Sequence, residues 1–169
     1  MKKQILLLVL MASSFAPATG QPTPPLPDEA AIETLIARET QAYLNRDAAA
    51  QAACWATHTD LSQRVALGNG KLVVAQGTHA ALCRGLATCF RDLKNPDPAT
   101  FIHDEWHIRI RGDAAFVTFR QVLHPPGRPA EESQHTRYLE RDATEWKIVH
   151  SGVLYAEPPP TAPVAQAIR

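Results

Sequence analysis

The stretch "HTRYLERDATEWKIVHSGVLY", residues 135–155, constrains the chain more than any other segment. It reads as two strands joined at Ala143-Thr144, which fixes a register because side chains alternate between the two faces of a strand. With a two-residue loop, Asp142 faces Glu145 and Glu140 faces Lys147, placing an opposite-charge pair on an outer face with Thr136, Tyr138, Val149 and Ser151. The other face then carries His135, Arg137, Leu139, Trp146, Ile148, His150 and Leu154. Lengthening the turn by an even number of residues preserves this division, and only an odd change swaps the faces. The register therefore predicts a half-buried strand pair with three basic groups, His135, Arg137 and His150, turned towards the core.

The preceding segment, "FIHDEWHIRIRGDAAFVTFRQVLH", folds back at Gly112-Asp113. Arg111 then faces Ala114, Ile108 meets Val117 and Trp106 meets Phe119. On the opposite side Glu105 meets Arg120 and His107 meets Thr118. "HPPGRP" separates this hairpin from the last one as a loop. Upstream of Pro98 the pattern is mainly helical. Asp28 is placed as an N-cap, and Ile32, Leu35, Ile36 and Tyr43 form one apolar stripe, interrupted at Asn45-Arg46-Asp47. Asp47 caps a second helix through "AAAQAACWAT", and "THAALCRGLATCFRDL", residues 78–93, forms a third, stopped by Asn95-Pro96 and Pro98. Between these two, "RVALGNGKLVVAQG" predicts a hairpin around Asn69-Gly70.

The two ends read differently from this core. "MKKQILLLVLMASSFAPATG" has two lysines, an apolar run and small residues before Gln21, the layout of a secretory signal peptide over 1–20 with cleavage near Gly20. A proline-rich leader, 21–27, and a proline-rich tail, 158–169, flank one folded unit over 28–157. The expected location is periplasmic or secreted. Without Lys2 and Lys3, 15 lysines and arginines face 17 acidic residues, a net charge of −2. No basic stripe suits nucleic acid, and no later segment is apolar enough to span a bilayer. An oxidising compartment permits a disulfide, and Cys54, Cys83 and Cys89 leave at least one thiol over. On one continuous helix Cys83 and Cys89 stand roughly 9 Å apart along the axis, too far to bridge. Cys54 with either of them, or three small buried thiols, are both open.

The order of helix, short helix, hairpin, helix and long antiparallel strands is similar to that of the nuclear transport factor 2-like superfamily. "RETQAYLNRDAAAQAACWATHTD" resembles the opening helices of its SnoaL-like branch. "IRIRGDAAFVTF" and "HTRYLERDATEWKIVHSGVLY" resemble the last four strands of secreted bacterial members. The resemblance implies an α+β fold: a cone-shaped, curved antiparallel sheet wrapped over three helices (cystatin-like), with a pocket between them. It also implies a homodimer through the outer face of the sheet. The superfamily's functions run from isomerase, cyclase and dehydratase chemistry to transport and assembly, so the fold does not choose among them.

The candidate pocket residues are His135, Arg137 and His150 at the mouth, with Trp146 and Trp55 as apolar wall. Tyr43 and His58 are expected from the helical side, and Asp104 or Gln121 from the neighbouring hairpin. A guanidinium beside imidazoles favours an anionic ligand, unless Arg137 pairs with a buried acid. No catalytic residue is assigned. An isomerase would need an acid base and an oxyanion holder, for which Tyr43 and Asp60 are only loosely placed. A cyclase-type reaction would use His150 as base with Asp104 as orienter. No nucleophile elbow or phosphate loop is present, and no cofactor is called for. His103 and His107 stand roughly 13 Å apart on a strand, too far to share a metal ion. Three readings follow: a binding module for a small anionic or aromatic molecule, an isomerase, cyclase or dehydratase, and a dimeric assembly protein, whose outer face would present Tyr138, Val149, Val153 and Tyr155.

Overall fold

A computed structural model describes residues 27–67, 71–93 and 95–155. The signal-peptide pattern, the leader as far as residue 26, the Asn69-Gly70 turn and the proline-rich tail lie outside the described residues. Three helices, α1 (Pro27–Leu44), α2 (Ala48–Ala52) and α3 (His79–Arg91), accompany six strands: β1 (Leu61–Ala66), β2 (Leu72–Gly77), β3 (Thr100–Arg111), β4 (Ala114–His124), β5 (Glu131–Asp142) and β6 (Glu145–Tyr155).

The first helix begins at Pro27, whose fixed φ and missing N–H suit a first turn. Asp28 therefore stands inside the helix rather than capping it, and its carboxylate accepts from Arg141 Nη2 at 3.0 Å. The expected break follows Leu44, where Arg46 adopts a positive φ of 59°. Asp47 caps α2 as expected, accepting from the Ala50 N–H at 2.9 Å. That helix stops at Ala52 rather than running on to Thr57. The next residues join the sheet instead: Ala56 N–H donates to Ile148 O and Ile148 N–H donates to Cys54 O, each at 2.9 Å. Thr78 caps α3, which continues unbroken past Gly85, so Cys83 and Cys89 cannot bridge. All three cysteines are free; Cys54 is buried and Cys89 exposed.

The strands form one curved sheet in the order β2-β1-β6-β5-β4-β3. Four seams are antiparallel; β1 runs parallel to β6, so the sheet is mixed. Both expected two-residue turns occur, with Arg111 opposite Ala114 and Asp142 opposite Glu145. Ile108 meets Val117, His107 meets Thr118 and Glu140 meets Lys147, as the pattern indicates.

Two bulges change the register beyond those turns. In β3 an extra residue lies between Asp104 and His107, with Glu105 at a positive φ of 53°. Arg120 therefore faces Asp104 instead of Glu105, although its Nε still lies 3.3 Å from a Glu105 oxygen. In β6 the register slips between Leu139↔Ile148 and Tyr138↔His150, leaving Val149 as the extra residue. One inserted residue is an odd change, so every side chain after it swaps faces. His150 and Leu154 turn outward; Ser151 and Val153 turn inward and are buried.

The core lies between α1 and the concave face. Ile32 and Ile36 from the helix meet Val117, Phe119, Leu139 and Ile148 from the strands, all essentially inaccessible to water. Helix α3 is much less packed, and of its residues only Phe90 is buried. The space beneath α3 is the cavity described next.

Candidate functional site

A cavity of about 460 Å³ opens between α1, α3 and the concave faces of β1, β2, β5 and β6. Its outer wall is largely apolar, with Leu61, Val65, Leu82, Leu86 and Val153 contributing beside Gln63, Gln76 and Thr78. Its inner end is polar and includes Glu39, Gln51, Gln121, His135 and Arg137. Parity explains half of this arrangement. His135 and Arg137 alternate with Thr136 on β5, so both reach the concave side, where they are 5% and 3% exposed. Glu39 explains the other half. It follows Ile32 by seven residues and Ile36 by three, which puts a carboxylate on the buried stripe of α1.

Arg137 is held by that carboxylate. Its Nη2 donates to Glu39 Oε2 at 3.3 Å, and its Nη1 donates to the Thr136 and Gly152 carbonyls at 3.0 and 3.5 Å. The other Glu39 oxygen accepts from Gln51 Nε2 at 3.2 Å. The guanidinium also stands 5.5 Å from the Phe119 ring centroid, within cation–π range. Among the described residues, the one full positive charge at the inner end is therefore matched by one full negative charge.

His135 stacks on Phe119 at 4.8 Å, and its Nε2 hydrogen-bonds the Ser133 hydroxyl at 2.8 Å. Burial, with Arg137 and His103 nearby, pushes its pKa down to about 2, so the ring is neutral at ordinary pH. His103 is also shifted down, mainly by burial. Its Nε2 pairs with Gln121 Oε1 at 2.9 Å, and that same oxygen accepts from Thr40 Oγ1 at 3.4 Å.

Of the residues expected at the pocket, His135, Arg137, Trp55 and Tyr43 line the cavity, as does Gln121. Four others lie elsewhere. The Val149 bulge turns His150 to the convex face, where Nδ1 hydrogen-bonds Ser62 Oγ at 2.7 Å and burial lowers its pKa. Trp146 is core, buried beneath the Arg141 guanidinium at 4.2 Å. His58 is bound to Glu140 at 2.8 Å on the surface. Asp104 receives two hydrogen bonds from Arg120, at 2.9 and 2.7 Å, and that contact holds its carboxyl below the usual range. His150 and Asp104 are thus not assembled as a base and its orienter. The sequence reading missed Glu39, Gln51 and Thr40. An acid in phase with an apolar helical stripe was the available signal for the first; nothing in the local pattern marked the other two.

Seven buried side-chain atoms among the described residues have no hydrogen-bond partner. Four of them belong to residues of the cavity wall: Gln51 Oε1, Trp55 Nε1, His135 Nδ1 and Arg137 Nε. Buried polar atoms are seldom left this way, and four of the seven fall in residues around this one cavity.

No known protein-family pattern matches the sequence, and no curated protein matches it. Solved structures do match in shape. An NTF2-like protein of unknown function from Pseudomonas putida KT2440 is 20% identical with a TM-score of 0.60, covering 75% of this chain and 85% of its own. A dehydratase-named protein of the NTF2-like family from Streptomyces avermitilis is 15% identical with a TM-score of 0.58, covering 76% and 96%. The CaMKII hub of S. rosetta is 19% identical with a TM-score of 0.57, covering 79% and 100%. At these identities the likeness is one of fold.

Proposed function

On the nuclear transport factor 2-like fold that this chain adopts, we propose that the cavity binds a small, largely apolar or aromatic molecule. The observation that carries this reading is the pairing of an apolar wall with a polar inner end whose buried atoms lack protein partners. The Glu39–Arg137 pair separates the two ligand classes expected from the sequence. A ligand carboxylate about 4 Å from Arg137 gains about 4 kcal/mol, but loses about 3 kcal/mol to Glu39 some 6 Å away. The remainder of about 1 kcal/mol does not offset the several kcal/mol needed to dehydrate the carboxylate. The aromatic class is therefore favoured over the anionic one.

A catalytic reading has weaker support. A general base works best with a pKa near the working pH, and His135 lies far below that. The signal-peptide pattern of residues 1–20 supports action outside the cytoplasm. The binding reading is tested by thermal melting with a panel of neutral bicyclic aromatics, repeated on Leu86→Trp, which fills the cavity from α3. A ligand at 100 times its Kd stabilises by about 2.7 kcal/mol. Stabilisation in the parent chain that disappears in the variant is expected. No stabilisation by any compound, or equal stabilisation in both chains, would end the reading.

The second reading, association of two copies, rests on the convex face. The bulge removes Val149 and Val153 from that face, and Tyr155 lines the cavity instead. Phe116, Leu154, Leu72 and Val74 take their place, 48% to 59% exposed. Leu154 and Leu72 both pair with Ala66, on opposite edges of β1, so an apolar band crosses three strands. Sedimentation of Phe116→Lys/Leu154→Lys should show monomers where the parent chain shows dimers; a parent chain that sediments as a monomer removes this reading.

A further inference from the structure

The free thiols stand in very different surroundings. Cys54 is buried, its Sγ donates to the Ala50 carbonyl at 3.4 Å, and burial pushes its pKa up, which makes it inert. Cys89 is exposed to solvent. Cys83 is half-buried and, among the described residues, is the one thiol set against an imidazole: its Sγ lies 3.6 Å from His79 Nδ1. The helix produces this contact. Thr78 caps α3, which makes His79 its first residue, and Cys83 follows one turn later with its side chain leaning back toward the N-terminus.

The tautomer of His79 is settled by its other nitrogen, Nε2, which lies 3.0 Å from Ala52 O. A carbonyl oxygen only accepts, so Nε2 carries the proton and Nδ1 presents its lone pair to the Cys83 S–H. Ala52 O is itself anchored, because it also accepts from the Trp55 N–H at 3.0 Å just beyond the end of α2. Thiol, base and orienting acceptor thus stand in the order that activates a nucleophile. The group is separate from the cavity, whose lining takes Leu82, Leu86 and Cys89 from α3 but neither His79 nor Cys83.

We propose that Cys83 is a site of thiol–disulfide exchange, with a small organic disulfide as co-reactant and His79 as proton acceptor. The thiol proton passes to His79 Nδ1. The thiolate sulfur attacks one sulfur of the disulfide, and a new S–S bond forms to Cys83 as the old one breaks. The departing thiolate takes the proton from Nδ1 and leaves as a thiol. The disulfide is the oxidant, Cys83 ends in a mixed disulfide, and His79 is regenerated. The compartment expected from the signal-peptide pattern is one where such disulfides persist.

The test adds oxidised glutathione to the full chain at about pH 6.5, where an ordinary thiol is about one per cent ionised. Adducts are timed by mass spectrometry after tryptic digestion, since cleavage at Arg84 puts Cys83 and Cys89 in different peptides. Exposure alone would make Cys89 the faster of the two. The imidazole contact predicts the reverse, with Cys83 faster by at least about fivefold, because the gain in thiolate outweighs the lower nucleophilicity of a stabilised thiolate. The amide of His79→Gln can keep a bond to Ala52 O but takes no proton. In that variant Cys83 should slow by at least about fivefold at this pH, and parent and variant should converge at about pH 10, where thiols ionise unaided. Modification of Cys89 before Cys83 in the parent, or an unchanged Cys83 rate in His79→Gln at about pH 6.5, would overturn the proposal. A rate loss that persists at about pH 10 would also overturn it, by showing that His79 shapes the surroundings of the thiol without taking its proton. If His79→Gln does not fold, the order of Cys83 and Cys89 in the parent chain decides alone.

Discussion

Replacing Glu39 by Gln tests whether the Glu39–Arg137 pair holds the two halves of the molecule together. The two side chains are 8% and 4% exposed, and their closest atoms are 3.3 Å apart. At that distance and an effective dielectric of about 20, their attraction is about 5 kcal/mol. Glutamine keeps an acceptor for Arg137 and so recovers about 1 kcal/mol as a neutral hydrogen bond. The expected loss is therefore about 3–5 kcal/mol, the range for breaking a buried ion pair from one side. Against a total stability of about 5–15 kcal/mol this is a large fraction. With a urea m-value near 2 kcal/mol/M the midpoint should fall by about 2 M. Arg137→Met should cost a similar amount, contrary to the expectation for a purely ligand-binding arginine. The double replacement Glu39→Leu/Arg137→Met removes both charges and should lie within about 1–2 kcal/mol of the parent, giving a coupling of at least about 3 kcal/mol. Single substitutions that each cost under about 1 kcal/mol and add without coupling would refute the assignment.

Three further outcomes can be measured with the same denaturation assay. His135 binds its proton near pH 2 when folded and near 6.5 when unfolded, so stability falls as pH drops through that window, by about 1.4 kcal/mol per pH unit. Between pH 6.5 and 4.5 the parent should lose about 2.3 kcal/mol more than His135→Gln; parallel pH curves would contradict a buried neutral imidazole. Ala143 sits in the closing turn at a φ of 53°, so Ala143→Gly should stabilise by about 0.5–1 kcal/mol, and a loss of stability would argue against that turn geometry. Deleting Val149 should restore the unbulged register, turning His150 and Leu154 inward and Ser151 and Val153 outward, at a cost of about 3 kcal/mol or more; a deletion that melts like the parent would show the bulge to be dispensable.

Much of the architecture was legible because it follows from short-range rules. Gly112-Asp113 and Ala143-Thr144 set the two turns, Asp47 caps a helix, and alternation from Ala114 to Phe119 separates core from surface. The cavity was legible only in part. His135 and Arg137 lie beyond the bulged pairing, but the extra residue is in β6, so alternation along β5 keeps them on the face that the turn assigns. Glu39 was legible in principle, as an acid in register with Ile32 and Ile36. Its pairing with Arg137 spans 98 residues of sequence, and no local pattern connects the two.

The Val149 bulge is the feature that sequence parity could not supply, and it determines the character of both faces. Nothing in "WKIVHSGVLY" distinguishes a regular strand from one carrying an extra residue, because both satisfy the same alternation over the short runs on either side. The cause lies across the sheet. Cys54 to Ala56 pair with β6 around Ile148, and β1 takes over from His150 onward, so β6 changes partners where the extra residue sits. A consequence follows for the site. With His150 on the convex side, Ser151 and Val153 occupy the concave rows beside Arg137 and His135. A third imidazole at that point would have crowded a basic group against Arg137. The valine instead continues the apolar wall down to the polar end. The bulge thus converts a cluster of three basic groups into a charge-balanced end with an apolar flank, and the proposed preference for an uncharged ligand over an anion rests on that balance.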